Sequence, residues 1–367
     1  MMEPLLGKTL DELQQVAVEA GLPRFAGSQL ARWLYVRRVT TFDQMTDLSL
    51  RGRQMLAERY VVGRRPPVAK AVSVDGTVKY LFEVRQADGG QAAPLYVESV
   101  FLPEDDRATA CVSTQAGCRM GCRFCMTGTL GFRAHLTAAD ILNQIFEMDD
   151  MHGRSLTNIV YMGEGEPLDN LGPVLRSVGI LTAPYALAWS PKRITVSTVG
   201  FLPGLQTFME KCDCHLALSL HNPFHEERLR IMPAERAYPV ADVLDMLRRY
   251  DFTHQRRFSC EYICFGGLND TPRHARELVR LLSGLPCRVN LIRFHAAPPE
   301  SGKAGAAMSP QASDGTLFAP SDEQRMLWLR DYLTAHGLTA TIRRSRGEDI
   351  LAACGMLVNA LQSSSPD

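Results

Sequence analysis

Residues 111–132 read CVSTQAGCRMGCRFCMTGTLGF, and the reading of the fold turns on the point where the apolar run ATACVST (108–114) gives way to this glycine-rich loop. Cys118, Cys122 and Cys125 stand in it at C-x3-C-x2-C spacing. Three thiolates this close together can each hold one iron of a cubane, leaving the fourth iron without a protein ligand and open to a small molecule. A structural zinc site needs a fourth Cys or His to close its tetrahedron. The nearest candidates are Cys111, inside the preceding strand, and His135, alone beyond Gly131. The spacing therefore points to an iron–sulfur centre with a vacant position, and zinc is the weaker alternative.

Downstream of the loop, apolar strand runs alternate with helical periodicity. The strand runs are NIVYMG (158–163), RITVSTV (193–199), HLALSLH (215–221), RFSCEYICF (257–265), CRVNLIRFH (287–295) and LTATIRRS (338–345). Between them lie helical patterns such as TAADILNQIFEMDDM (137–151), VADVLDMLRRY (240–250) and TPRHARELVRLLS (271–283). Nearly continuous apolar strands joined by helices argue for a parallel sheet covered by helices. A closed eight-unit barrel takes about 250 residues, so about six units fit. The expectation is an α/β chain with a partial, open (βα)6 TIM-like barrel over 108–358 and a disordered tail at 359–367. The Gly/Ala/Ser/Pro-rich stretch 296–320 reads as a mobile loop at the functional end of a strand.

Upstream, residues 67–107 read as a short β extension: AKAVSV, a turn at Asp75-Gly76, TVKYLFEV and then YVESVFL. Residues 1–66 read as a small helical domain, LDELQQVAVEAG, FAGSQLARWLYVRR and LRGRQMLAERY, ending in the linker Arg64-Arg65-Pro66-Pro67. The chain balances 40 Lys and Arg against 40 Asp and Glu, but Gly21 to Lys70 carries ten basic residues and three acidic ones. A local basic face of that kind can bind phosphates, although a solvated helical surface reads the same way.

Hydrophobic content of 46% and charged content of 22% are ordinary for a soluble globular protein. No run reaches the ~18 apolar residues of a membrane span, and MMEPLLGKTLDEL lacks a signal-peptide layout. The expectation is a cytoplasmic protein without membrane contact. Ten cysteines are many for that compartment, where grouped cysteines more often mean metal or catalysis than disulfides. Cys212, Cys214, Cys260, Cys264 and Cys287 sit in or beside apolar runs and read as core residues. Cys354, in AACG near the C-terminus, would by itself read as a packing residue.

The cysteine loop, placed after a strand that opens a partial barrel, resembles the signature of the radical SAM superfamily. That resemblance implies a [4Fe-4S] cluster whose open iron chelates S-adenosyl-L-methionine (SAM), and reductive cleavage of SAM to a 5′-deoxyadenosyl radical. It also implies that Gly165 and Glu166, in the turn Gly163–Pro167, receive the amino group of SAM. Ser197, Ser219, Leu220, His221 and His295 fall at the carboxyl ends of strands, where barrel enzymes keep their sites, and join the cofactor set.

A longer series resembles one subfamily: VESVFLPEDDRATACVSTQAGCRMGCRFCMTG, GEGEPLDN, ITVSTVG, LALSLH, GGLND, CRVNLIRFH and RGEDILAACG. It is similar to the RlmN family, which methylates carbon 2 of adenosine in ribosomal and transfer RNA, over residues from about 20 to 358. Glu164 departs from that family's pattern, which has methionine there.

The resemblance implies roles that the residues alone would not reveal. Cys354 carries a methyl group on sulfur, Glu98 takes a proton from the adenine ring, and Cys111 attacks Cys354 to form a transient disulfide and release product. The implied partners are 23S rRNA, tRNA and an electron donor such as flavodoxin or ferredoxin, and the chain is expected to be a monomer. The basic face containing Arg32, Arg37, Arg38, Arg64 and Arg65 is the expected RNA-docking surface. A Cfr-like enzyme that methylates carbon 8 of adenine in 23S rRNA is the nearest alternative, although Pro167 stands where that enzyme typically has alanine. A zinc-stabilised RNA-binding protein without catalysis is the more distant one.

Overall fold

The computed structural model describes residues 2–84, 94–254, 256–296, 311–353 and 355–357. The chain opens with a two-residue strand β1 (Glu3–Pro4) and three helices, α1 (Leu10–Glu19), α2 (Ala26–Ala31) and α3 (Leu50–Arg59). Thr9 and Glu12 form a reciprocal capping box at the start of α1, satisfying two amides that the first helical turn leaves without partners. α2 runs on as a π-turn through Arg32–Val36. β2 (Tyr60–Val61) returns to pair in parallel with β1.

Strands β3 (Ala69–Val72), β4 (Val78–Val84) and β5 (Leu95–Pro103) follow as an antiparallel meander, and β5 pairs antiparallel with β6 (Ala108–Cys111). A small ribbon, β7 (Gln115–Ala116) with β8 (Ala134–His135), flanks the short helix α4 (Met126–Thr129). The alternation then runs α5 (Ala138–Met151), β9 (Asn158–Tyr161), α6 (Leu171–Thr182), β10 (Ile194–Thr198), α7 (Leu202–Lys211) and β11 (His215–Ser219). It continues with α8 (His225–Ile231), α9 (Val240–Leu247), β12 (Phe258–Cys264), α10 (Pro272–Leu282), β13 (Cys287–Arg293), α11 (Glu323–Ala335) and β14 (Thr339–Ile342).

From β6 through β9 to β14, every neighbouring pair is parallel and in chain order, as successive crossovers require. This is the open (βα)6 half-barrel with a seventh strand closing the series. The antiparallel strands β5, β4 and β3 extend it on the other side of β6, giving a ten-stranded sheet. Its strands are buried by Leu, Val, Ile and aromatic side chains in one continuous apolar cluster that also takes in α1 to α3. Of the stretch expected to form a mobile loop, residues 297–310 lie outside the described residues, and 311–320 make short bridges, Gln311 to Leu317 and Pro320 to Phe265. The expected tail, 359–367, also lies outside them.

The basic residues of the N-terminal part divide into two groups. Arg38 pairs with Asp149 and Asp150, Arg64 with Glu147 and Asp150, and Arg65 with Asp140, all on α5. Gly7 lies flat against the same helix, where a Cβ would come within 2.7 Å of the Ala139 amide nitrogen. These three arginines clamp the helical part onto the half-barrel, which corrects the reading of all five as one free docking face. Arg32 and Arg37 remain exposed. Composition could not separate the two groups, because the acids that claim three of the arginines stand more than seventy residues further along the chain.

Candidate active site

The cysteine loop sits at the carboxyl ends of the parallel strands. Gly117, which precedes Cys118, has φ +73°, and a Cβ there would come within 1.8 Å of the Gly131 carbonyl oxygen, so only glycine lets the loop close on itself. Cys122 is buried and Cys118 and Cys125 are half-buried, in a second apolar cluster with Met120, Phe124, Ile231, Phe265, Phe294 and Phe318. The Arg123 amide donates to the Ile231 carbonyl at 3.0 Å, tying the loop to the end of α8.

Burial raises all three thiols above the ordinary cysteine range, Cys118 to about 12. Opposing it, backbone amides point at sulfur: Met120 at Cys118, and Thr127 and Gly128 at Cys125. Among the described residues no three His, Cys, Asp or Glu side chains converge to hold a single metal ion. A cubane asks for a different arrangement, one thiolate on each of three irons with amide donors to sulfur. Sulfurs desolvated in an apolar pocket and already addressed by amide hydrogens meet that description.

The turn Gly163–Pro167 follows β9 and is woven into its surroundings. At Gly165, φ is +97° and a Cβ would stand 2.5 Å from the Gln115 side chain. The Glu166 amide donates to Gln115 Oε1 at 2.9 Å, and its buried carboxylate accepts from Leu168 (3.1 Å) and from Val199 (2.9 Å), just past β10. Burial pushes the Glu166 carboxyl up to about 7, against these donors.

Glu164 turns the other way. Its carboxyl accepts from the Glu98 amide at 2.8 Å and from the Gly117 amide at 3.4 Å, while Ser113 Oγ accepts from the Glu164 amide and donates to the Glu98 carbonyl. Burial, reinforced by the nearby Glu98 carboxylate, pushes it up to about 8, so at neutral pH it is largely the acid form. Such a group fits an interior that would otherwise hold methionine.

The expected strand-end residues are held by a group that the sequence reading missed. Arg228 is fully buried, donating to the carbonyls of Val199 (2.9 Å), Ser219 (2.8 Å) and Leu220 (2.9 Å) and pairing with buried Glu235. It pins the ends of β10 and β11 beside the cysteine loop. No local motif announces it, because RLRIMPAER reads as an ordinary charged surface turn. Ser197 lies in β10, with Ala217 as its register partner on β11. His221 is buried with its ring edge-on to Phe124 at 4.9 Å, and Nδ1 accepts from the Ile263 amide. Burial, aided by the charge of Arg228, lowers it to about 3, so it stays neutral. His295 falls elsewhere: its partners are Ser345 Oγ at 2.7 Å and Glu348 at 3.4 Å, on the segment after β14.

Glu98 and Cys111 lie on the antiparallel side. Glu98, in β5, is fully buried and pairs with buried Lys79 of β4 at 3.0 Å. Cys111, at the end of β6, packs with Val100, Leu102, Ile350, Ala352 and Leu357. Cys354 lies outside the described residues, but both of its flanks are placed. Before it, Ala352 belongs to the Cys111 cluster. After it, the Gly355 carbonyl accepts from the Met126 amide at 2.8 Å and the Leu357 carbonyl from Thr127 Oγ1 at 3.1 Å, directly beyond Cys125. The C-terminal segment thus runs between the strand of Cys111 and the loop of Cys125.

An open half-barrel with a cysteine trio set in an apolar pocket at its carboxyl end defines a radical SAM enzyme, and residues 112–282 match the model of the radical SAM superfamily. Residues 4–62 match the ribosomal RNA large subunit methyltransferase N-terminal domain. A probable dual-specificity RNA methyltransferase RlmN of Bacteroides fragilis is 52% identical, covering 99% of this chain and 98% of its own. The protein of the same name from Porphyromonas gingivalis is 53% identical, covering 99% of each. A radical SAM methyltransferase structure from Sphaerobacter thermophilus superposes with a TM-score of 0.84 at 36% identity, covering 97% of this chain and 99% of that one. The chain belongs to the RlmN family of radical SAM RNA methyltransferases. Membership implies a [4Fe-4S] cluster and SAM, for which the donor set just described is suited. Among the described residues no helix is long and apolar enough to cross a membrane.

Proposed function

We propose that this protein methylates carbon 2 of an adenosine in 23S rRNA and of an adenosine in tRNA anticodon loops, in the cytoplasm and as a monomer, with flavodoxin or ferredoxin as electron donor. The observation that carries this reading is the course of the C-terminal segment between Cys111 and the cysteine loop. Carbon 2 of adenine is an electron-poor ring position, closed to simple displacement on SAM, so a carrier sulfur must stand where a radical is made and also where a second sulfur can reach it.

Cys118, Cys122 and Cys125 would hold the cluster, which when bound supplies the electron that opens SAM to a 5′-deoxyadenosyl radical. Gly165, Glu166, Ser197, Ser219, Leu220, His221 and His295 form the proposed SAM-binding set; Glu166 and Arg228 keep the turn and strand ends in register. Cys354, methylated on sulfur, gives a hydrogen atom to that radical, and its methylene carbon bonds to carbon 2. The adduct then holds one electron and one proton too many. Glu98 takes the proton, and the electron would pass to the oxidised form of the flavodoxin or ferredoxin donor. The Cys111 thiolate attacks the Cys354 sulfur, the S–CH2 pair leaves with carbon, and a proton completes the methyl group. A dithiol reductant restores the two cysteines. Exposed Arg32 and Arg37 are the remaining candidates for phosphate contact.

Cys111→Ala should trap a covalent protein–RNA adduct that is absent when Cys354 is also replaced. An enzyme that cleaves SAM yet traps nothing overturns the assignment. Mass spectrometry of the modified nucleoside separates carbon 2 from carbon 8.

A further inference from the structure

A lysine stands where a strand should have none. In β4 the run Val78, Lys79, Tyr80, Leu81, Phe82 is buried throughout, and Lys79 is only 1% exposed. A buried ammonium persists only when paired and hydrogen-bonded. Lys79 Nζ forms an ion pair with Glu98 Oε1 at 3.0 Å and donates a hydrogen bond to the Leu351 carbonyl at 3.4 Å. Lys79 lies opposite Val100 and Leu81 opposite Glu98, so lysine and glutamate are diagonal neighbours on one face, within reach of long side chains.

That face is the one the C-terminal segment covers, since Val100 packs on Ala352 and Leu357. Leu351 has φ +53°, a left-handed conformation that leucine adopts only when its surroundings enforce it. Further contacts fix the same segment to the β3–β4 hairpin and to the end of β5. Asp349 accepts from Ser73 Oγ at 2.6 Å and from the Val74 amide at 3.1 Å. Asp75 accepts from the Gly347 amide at 3.1 Å, and Arg346 donates to the Pro103 carbonyl. A single ammonium therefore joins the proposed base to a strained turn three residues before Cys354.

We propose that Lys79 is a positioning residue for release of the RNA: it holds the Glu98 side chain aimed while anchoring the Leu351 turn that precedes Cys354 in the chain. The inference rests on the roles given above to Glu98 and Cys354. In the step concerned, the carbon-2 proton passes to the Glu98 carboxylate and the C–H electron pair stays in the ring; Lys79 contributes no atom. Losing the ammonium should slow that step and leave radical generation untouched.

The test uses cluster-loaded full-length enzyme with SAM, reductant and protein-free ribosomal RNA. Lys79→Met should lower methylated RNA about 100-fold, the scale of a misdirected general base. At the same time a protein–RNA adduct should accumulate on a denaturing gel, with S-methylation of Cys354 and 5′-deoxyadenosine formation retained. Lys79→Arg, which keeps the charge, should restore part of the release. Should Lys79→Met fold poorly, Lys79→Met with Glu98→Gln removes both charges, and its adduct level should equal that of Glu98→Gln alone. Normal release by Lys79→Met, loss of S-methylation in step with turnover, or additive defects in the double variant each overturn the proposal. Cys111→Ala runs in parallel: if it traps no adduct the methyl-carrier reading itself fails, whereas a trapped adduct there with normal release by Lys79→Met removes the lysine proposal alone.

Discussion

The sheet has two halves that meet at β6, and they are built on opposite plans. On the parallel side, the cysteine loop, the Gly163–Pro167 turn and the ends of β10 and β11 converge because each crossover returns the chain to the same edge, so the site is made of short segments in sequence order. On the antiparallel side, Lys79, Glu98 and Cys111 come together with residues 346–353, and contacts there span as many as 276 positions along the chain. The first half makes a radical by local geometry. The second receives a segment from the far end of the chain, and its accuracy depends on docking. One half is a motif; the other is an assembly.

The sharpest way to break this contrast is to disable each half alone. Cys122→Ala should remove iron and reduce SAM cleavage at least about 1000-fold, because replacing one member of a unit abolishes most of its function. Cys354→Ala should keep full iron content and visible absorbance and yield no methylated RNA. Iron loss in the second variant would mean the halves are not separable.

A large effect on stability is expected from Arg228→Met, which leaves Glu235 buried without its cation at a cost of about 3–5 kcal/mol, lowering the melting temperature by roughly 5 °C. Equivalent melting to wild type would show that the strand ends need no such tie.

Glu164 permits a subtler test by pH. Its folded-state value, about 8, lies above the ordinary 4.5. Between those limits the unfolded chain has released a proton that the folded chain keeps, so folding stability falls as pH rises through this window, by at most about 1.4 kcal/mol per unit, and levels off above it. Glu164→Gln should remove that slope, and the variant's advantage should grow from pH 4.5 to a plateau near 8 in thermal melts. Parallel pH profiles for the two proteins would sink the assignment.

The smallest effects concern the N-terminal arginines. Arg64→Ala should cost about 1–3 kcal/mol by leaving a largely buried carboxylate without its donor. Arg37→Glu should alter stability by less than about 0.5 kcal/mol while weakening RNA binding and its salt dependence.

The contrast also explains what could be read in advance. The spacing of the cysteine trio and the alternation of strands with helices were legible, since spacing and periodicity are local properties, whereas the reading of the turn with Glu166 came from family resemblance. Even the β3–β4 turn at Asp75-Gly76 was readable. Lys79 could have been noticed as an odd charge inside VKYLFEV, but its partner at Leu351 could not. Arg38, Arg64 and Arg65 looked like a nucleic-acid face because the sequence displays charge without displaying who neutralises it. The proposed pairing of Cys111 with Cys354 rests on family resemblance, and no distance along the chain would have suggested it.

The clamp of Arg38, Arg64 and Arg65 onto α5 has a consequence for how the molecule moves as a whole. The Arg64 side chain is only 3% exposed, so added salt does little to screen its pairs. The helical head and the half-barrel should therefore tumble with one rotational correlation time, in fluorescence anisotropy or NMR relaxation, rather than as beads on a string.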